Sequence, residues 1–228
     1  MVVLATKLYV EGDARSRATD SLRSQVNNVV GDLDVAFTLE IRDDDFPEVA
    51  LDGEDATVAA NALAEEWGEV TPEIDPGAEH VGTLESWDDE GFVLDAGFGR
   101  DVRIPAGEIG LGQGTPEQIR TRFGLVQHLP MRFVAADPDE DEPARLADAE
   151  RDRLYDWTRG AGRVNVNSAT RAEARATVNR AGHAQDIVTV ERLGLLEQSI
   201  VCTEDTDPPG LLASIGQYMP AELLCVVP

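Results

Sequence analysis

Residues 80–114, HVGTLESWDDEGFVLDAGFGRDVRIPAGEIGLGQG, decide the fold that the sequence predicts. Apolar and polar side chains alternate with a period of two over residues 81–87, as in a strand with one buried face. Polar, glycine-containing turns separate this segment from two more strands, at residues 92–96 and 102–105. A closing strand is expected at residues 130–135, after a short helix. The sequence therefore predicts a small β-barrel at the centre of the chain.

The order of glycine and apolar residues in this stretch resembles an S1-type OB barrel, the version of that fold found in ribosomal proteins. It consists of Gly82, then GFVLD at residues 91–95, then Ile104-Pro105. The resemblance implies a barrel over residues 78–137. It also implies that an oligonucleotide lies across the second and third strands, on aromatic and basic side chains.

The charge balance of the chain is strongly acidic. Its 228 residues include 44 Asp and Glu against 19 Lys and Arg, for a net charge of -25, and Lys7 is the only lysine. A hydrophobic content of 42% argues against a disordered acidic chain. The composition predicts a folded, cytoplasmic protein of an extreme halophile. In molar salt the screening length falls to about 3 Å. Net charge therefore says little about binding partners, and the local charge of a surface determines what it can bind.

Cysteine, metal and membrane sites are not predicted. Cys202 and Cys225 are too few for a four-cysteine zinc site or a disulfide framework, and we expect both to be buried and reduced. No apolar segment is long enough to span a membrane. We therefore expect no membrane association, no metal and no cofactor.

The segment before the barrel, residues 1–70, predicts an N-terminal α+β domain. Its expected order is strand, helix, strand, strand, helix, at residues 2–10, 15–30, 35–42, 48–51 and 55–67. This order suggests a two-layer sandwich of the ferredoxin-like or KH-like kind. A KH domain needs a Gly-x-x-Gly loop, which residues 1–70 lack, so the ferredoxin-like alternative is preferred.

The segment after the barrel, residues 144–228, predicts a C-terminal ferredoxin-like α+β domain. A helix at residues 146–158 is followed by the order β-α-β-β-α-β. The acidic run DPDEDEP at residues 137–143 is interpreted as a hinge between domains, and residues 71–79 as a linker. The predicted fold class is α+β, with two small α/β sandwich (ferredoxin-like) domains flanking a small S1/OB-like β-barrel.

Arginines cluster in one segment of the C-terminal domain. Five of them, against the single acid Glu173, give this segment a local charge of about +4: Arg159, Arg163, Arg171, Arg175 and Arg180. The guanidinium fork suits phosphate because it can donate to two oxygens at once. The alternative, which the abundance of acid favours, is that these arginines pair with the protein's own carboxylates.

A second group of candidate nucleic-acid contacts lies in the barrel. Its basic members are Arg100, Arg120, Arg122, His128 and Arg132. Phe98, in a turn between two glycines, is the aromatic side chain best placed for stacking on a base. Trp87 and Phe92 are weaker candidates, and core packing is the alternative for all three.

No catalytic group is predicted. The three histidines are scattered, and His183 and Asp186 could form a dyad, but the sequence places no nucleophile beside them. GLGQG at residues 110–114 lacks the lysine of a Walker motif. An enzyme acting on a phosphorylated metabolite remains an alternative, with a pocket around Arg163 or His183.

Three further stretches are similar to an archaeal family of unknown function, DUF2110. They are residues 111–130, residues 180–210 and SIGQYM at residues 214–219. The resemblance implies an archaeal, cytoplasmic protein and brings no catalytic residues. Our functional hypothesis is a non-catalytic RNA- or nucleic-acid-binding factor of the translation or transcription machinery. The alternative is a protein–protein adaptor that docks on a larger assembly such as the ribosome or RNA polymerase.

Overall fold

Three antiparallel β-sheets follow one another along the chain, each with its own helices, in a computed structural model that describes residues 1–228. The fold is thus a mixed α+β fold with six α-helices. None of these helices combines the length and the apolar character needed to cross a membrane.

The N-terminal domain has a three-stranded sheet with two helices. Its elements are β1 (Val2–Val3), α1 (Gly12–Val30), β2 (Ala36–Ile41), β3 (Pro47–Asp52) and α2 (Ala56–Trp67), and the strand order is β1-β3-β2. The helices pack on the sheet through the apolar stripe that their 3.6-residue period creates, with Leu22, Val26 and Leu63 fully or almost fully buried.

The first strand is much shorter than predicted. Only Val2 and Val3 pair with β3, whereas the sequence predicted a strand over residues 2–10. Residues 4–8 are nonetheless buried, and Leu4 and Leu8 have no exposed surface. This segment is buried because it runs between the domains. In the sequence, a buried segment of this kind looks the same as a buried strand.

The central domain has a five-stranded sheet that curls into a half-barrel. Its elements are β4 (Glu79–Asp88), β5 (Gly91–Asp95), β6 (Asp101–Pro105), α3 (Pro116–Phe123), β7 (Pro130–Val134), β8 (Arg145–Leu146) and α4 (Asp148–Trp157). The strand order is β6-β5-β4-β7-β8, and the two edge strands approach each other without pairing. The N-cap of α3 is Thr115, which forms a capping box with Gln118 and precedes a first-turn proline. The strands and helix predicted from residues 80–135 are confirmed.

The acidic run at residues 137–143 connects two strands and is not a hinge between domains. Asp137 and Glu142 bridge each other, so the run is the hairpin between β7 and β8. Leu146, Leu154 and Trp157 belong to the apolar core of the central sheet, although the sequence placed them in the C-terminal domain. A charged loop looks the same in sequence whether it joins two strands or two domains.

The C-terminal domain has a four-stranded sheet and two helices. Its elements are β9 (Arg163–Val166), α5 (Arg171–Arg180), β10 (Ile187–Arg192), β11 (Gln198–Cys202), α6 (Pro208–Gly216) and β12 (Leu223–Val226). All neighbouring strands are antiparallel, in the order β10-β11-β9-β12. The predicted order β-α-β-β-α-β is therefore present.

The domains share their apolar cores. Leu195 and Leu196 of the C-terminal domain lie in the core of the N-terminal domain, and Val226 lies in the central core. Val70 and Phe98 join the N-terminal and central domains in a further small cluster. Both cysteines are free, and burial raises the pKa of the Cys202 thiol to about 11, so this thiol is unreactive at neutral pH.

Candidate nucleic-acid interface

The exposed face of α5 carries cations and no acid. Thr170 caps the helix through a capping box with Glu173, and the face with Ala174 and Val178 is buried. The outward residues are all exposed, and they are Arg171, Ala172, Arg175, Ala176, Asn179 and Arg180. Arg171 and Arg175 are four residues apart and share one margin of this face, whereas Arg180 lies on the other. The one acid of α5, Glu173, lies at the margin of this face beside Arg180 and pairs with Arg17 at 2.8 Å, so it does not neutralise these arginines.

The arginines of this face have no partner within the protein. Arg171, Arg175 and Arg180 form neither an ion pair nor a hydrogen bond, and Arg180 lies 6.0 Å from the ring of Tyr218. Three solvated guanidinium groups thus remain free to donate to a ligand. For these residues the pairing with the protein's own acid, which the sequence analysis favoured, does not occur.

The other predicted arginines have partners in the protein. Arg132 pairs with Glu79 at 3.1 Å, Arg159 with Asp156 at 2.8 Å, and Arg163 with Glu191 at 3.1 Å. The guanidinium of Arg122 donates to the carbonyl of Leu111 at 2.7 Å, and that of Arg100 donates to the carbonyls of Thr71 and Pro72. Three of these five residues lie in the central domain, Arg159 lies in the segment between the central and C-terminal domains, and Arg163 lies on β9. Because all five are engaged within the protein, they are not available to a ligand as the arginines of α5 are.

Arg120 joins two domains. It is almost completely buried, its guanidinium lies 3.8 Å from the centre of the Trp87 ring, and it donates to Glu222 of the C-terminal domain at 2.6 Å. A second carboxylate, Glu117, lies at 3.2 Å. A buried guanidinium with an aromatic face and two carboxylates is already saturated, so Arg120 stabilises the domain contact.

The three predicted aromatic platforms are occupied by protein contacts. Phe92 has no exposed surface, and the face of Trp87 is covered by Arg120. Phe98 packs against the small cluster that joins the N-terminal and central domains, with the Arg42 guanidinium 4.0 Å from its ring centre. Its backbone N–H donates to Asp44 at 3.1 Å. A turn between two glycines indicated full exposure, whereas the ring is only partly exposed because the neighbouring domain packs against it.

The outer face of β5 and β6 is acidic. Its arginine, Arg103, is shared between Asp88 at 2.7 Å and Glu90 at 3.7 Å, and Asp101 is exposed nearby. A phosphate backbone would meet like charge here, and the cation that could attract it is already neutralised.

The only lysine of the chain lies where the three domains meet, a site that the sequence analysis missed. The Nζ atom of Lys7 donates to Asp95 at 2.7 Å and to Glu85 at 3.1 Å, and the side chain is 10% exposed. Burial lowers the pKa of Lys7, but the two carboxylates outweigh it and raise the pKa above its ordinary value. A single lysine inside an apolar run of a lysine-poor chain was the signal that could have identified it.

Tyr9 continues this junction towards the C-terminal domain. Its hydroxyl donates to Glu197 at 2.7 Å and accepts from the N–H of Ser168 at 2.9 Å, and its ring lies 4.0 Å from that of His128. Burial raises the pKa of Glu197 to about 8 despite the hydrogen bond from Tyr9. His128 and then Lys7 lower the pKa of Glu85 to about 2, against the effect of burial. Ionisable side chains therefore make the contacts that hold the three domains together at this junction.

Ser214 completes a chain of hydrogen bonds with the predicted dyad. His183 Nδ1 lies 2.6 Å from an oxygen of Asp186, and His183 Nε2 lies 2.8 Å from the hydroxyl of Ser214. Ser214 lies 31 residues after His183, so no sequence spacing could reveal it. Because Ser214 is inside α6, the N–H groups around it are used by the helix and cannot form an oxyanion hole. The hydrogen bonds among Asp186, His183 and Ser214 therefore hold α6 against the turn that follows α5.

Comparison with protein families covers nearly the whole chain. The DUF2110 N-terminal domain matches residues 1–73, the DUF2110 central domain residues 74–158, and the DUF2110 C-terminal domain residues 161–227. The central match ends just after α4, which agrees with the packing of that helix on the central sheet. A search of curated proteins found no match. The chain belongs to the DUF2110 family in all three of its domains.

Proposed function

We propose that this protein is a non-catalytic RNA- or nucleic-acid-binding factor of the archaeal translation or transcription machinery, and that α5 is its phosphate-binding surface. The observation that carries the proposal is the exposed face of α5 with its three unpartnered arginines, whose one bordering acid, Glu173, already pairs with Arg17. Exposed guanidinium groups that do not pair with an abundant internal acid are available to phosphate oxygens.

The strand orders support folds that other nucleic-acid-binding proteins use. In the central domain the order β6-β5-β4-β7-β8, with α3 between the third and fourth strands, fits a partly open S1/OB-type barrel. The order β10-β11-β9-β12 fits a ferredoxin-like sheet. The N-terminal sheet has one strand fewer than that pattern. These likenesses support nucleic-acid binding by analogy with other proteins that use the two folds.

In this proposal the barrel does not supply the base-stacking side chains that the sequence suggested. Its stacking candidates face protein and its outer strands are acidic, so we assign it the role of a rigid hub to which the other two domains are fixed. Phosphate contacts then come from the C-terminal domain. The acidic, lysine-poor composition supports a cytoplasmic, salt-adapted protein, in which close contacts rather than long-range attraction determine binding.

An adaptor role is the second candidate, and the acidic outer face of β5 and β6 favours it. Asp88, Glu90 and Asp101 offer negative charge to a basic protein surface, such as those of ribosomal proteins or RNA polymerase subunits. Replacing Asp101 with Arg would weaken such docking and leave binding through α5 intact.

Fluorescence anisotropy with short labelled RNAs tests the main proposal. The measurement is made in molar KCl and at the lowest salt that keeps the protein folded. We expect the double variant Arg171→Glu/Arg175→Glu to bind roughly tenfold more weakly or worse, because two charge-assisted contacts are lost. A matched control is Arg23→Glu/Arg145→Glu, which makes the same charge change at arginines that pair with acid.

Two results would contradict the proposal. One is wild-type protein that binds neither RNA nor DNA in either salt. The other is an equal loss in the α5 variant and in the control, since net charge alone would then explain the binding. Association with ribosomes or polymerase that survives the α5 changes and nuclease treatment would favour the adaptor.

A further inference from the structure

A cleft lies between α1 of the N-terminal domain and α5 of the C-terminal domain. Its volume is about 280 Å³. Its floor consists of small and apolar residues, among them Ala14, Ala169, Met219 and Ala221. Clefts between domains with an apolar floor and a few polar groups at the rim are common ligand sites.

The rim of this cleft has one free cation. Arg17 and Glu173 pair at 2.8 Å, and Glu173 also accepts from the N–H and hydroxyl of Thr170, so its charge is satisfied. Arg180 is the third charged group at the rim and has no acidic partner. The cleft is thus locally positive in a chain of net charge -25.

Tyr218 supplies the exposed aromatic face that the barrel lacks. The residue is 43% exposed at the edge of the cleft, and the Arg180 guanidinium lies 6.0 Å from the centre of its ring. Phe92 is buried, and guanidinium groups lie 4.0 Å or less from the ring centres of Trp87 and Phe98, whereas the cation nearest the Tyr218 ring, Arg180, lies 6.0 Å away. An exposed aromatic ring beside an arginine is the combination on which unpaired bases stack.

We infer that this cleft holds one unpaired base of a single-stranded nucleic acid, stacked on Tyr218, with the adjoining phosphate on Arg180. The strand then crosses the exposed face of α5, past Ala172 and Asn179, to Arg171 and Arg175 on its other margin. A duplex base has both faces covered by its neighbours and cannot enter, so the site selects single strands. This inference rests on the proposed function and assigns its base-binding residue.

Photocrosslinking with a short 4-thiouridine RNA tests the inference. We expect the crosslink on the peptide that contains Tyr218, competition by unlabelled single strands, and no competition by the corresponding duplex. Tyr218→Ala should lower affinity roughly tenfold and remove the crosslink, whereas Tyr218→Phe should retain both, since the ring and not the hydroxyl stacks. Ala176→Trp, which places a bulky side chain in the cleft from an exposed position, should also abolish the crosslink.

The outcomes separate this inference from the proposed function. If RNA binds, depends on Arg171 and Arg175, and ignores both Tyr218→Ala and Ala176→Trp, the base site is wrong and the phosphate surface stands. If wild-type protein binds no single strand, both are wrong. A duplex that competes as well as a single strand also overturns the base site.

Discussion

At the residue scale, Lys7 illustrates why a buried charge is costly to change. It is held between Asp95 and Glu85 with little access to water. Its removal leaves Asp95, which is 15% exposed, without a cation, whereas Glu85 keeps His128 at 3.3 Å. We expect Lys7→Met to lower the free energy of unfolding by about 2–4 kcal/mol. Guanidinium denaturation at constant ionic strength, with urea as a check, measures the change.

The control for Lys7→Met also neutralises the carboxylates that lose their lysine partner. The triple variant Lys7→Met/Glu85→Gln/Asp95→Asn should recover most of the lost stability, because no uncompensated charge remains. A single variant as stable as the wild type would mean that the junction does not depend on this ion pair.

Glu197 makes the same junction sensitive to pH. In the unfolded chain this carboxyl loses its proton near pH 4.5, whereas in the folded protein burial raises its pKa to about 8. Between these values the folded state binds one proton more, so this group lowers stability as the pH rises from about 4.5 to about 8. We expect Glu197→Gln to be more stable than the wild type at pH 8, by on the order of 4 kcal/mol, and nearly equal at pH 5.

Denaturation at the two pH values measures this difference, and Glu140→Gln, on the exposed hairpin, is the control that should change neither. A constant difference between Glu197→Gln and wild type across the range would indicate a packing effect and not titration.

At the scale of elements, α6 decides what the Ser214, His183 and Asp186 chain can do. The serine lies within a helix, where neighbouring N–H groups are already bonded, so a developing oxyanion finds no donors. We expect no covalent labelling of Ser214 by a fluorophosphonate probe, with a known serine hydrolase as the positive control. Stoichiometric labelling that is lost in His183→Ala would show that the chain is a catalytic triad.

Elements were predictable where local signals and packing agree. The capping boxes at Thr115 and Thr170 and the alternation through the central strands depend on neighbouring residues alone, and the corresponding helices and strands are present. The strand predicted at residues 2–10 covers only Val2 and Val3, because burial between domains produces the same kind of apolar run as a sheet does. The exposure of Phe98 and the pairing of the C-terminal arginines depend on contacts between segments that are distant in the chain. Local sequence patterns do not reveal such contacts.

At the scale of the whole molecule, net charge opposes compactness. A chain of net charge -25 repels itself when salt no longer screens it, and the shared cores of three domains bring these charges together. We expect the unfolding temperature to fall on dilution from molar to millimolar KCl. Sucrose at equal osmolality is the control and should not replace salt. A melting temperature independent of salt would contradict the proposed adaptation to a saline cytoplasm.

The buried path of residues 4–9 also constrains the order in which the protein can be assembled during synthesis. Thr6 accepts from the N–H of Leu195, and Tyr9 donates to Glu197, contacts that span almost the entire chain. The ribosome makes one half of each contact early and the other only near the end. The amino-terminal domain can thus collapse early, but its last surface stays open until the carboxyl-terminal sheet arrives to close it.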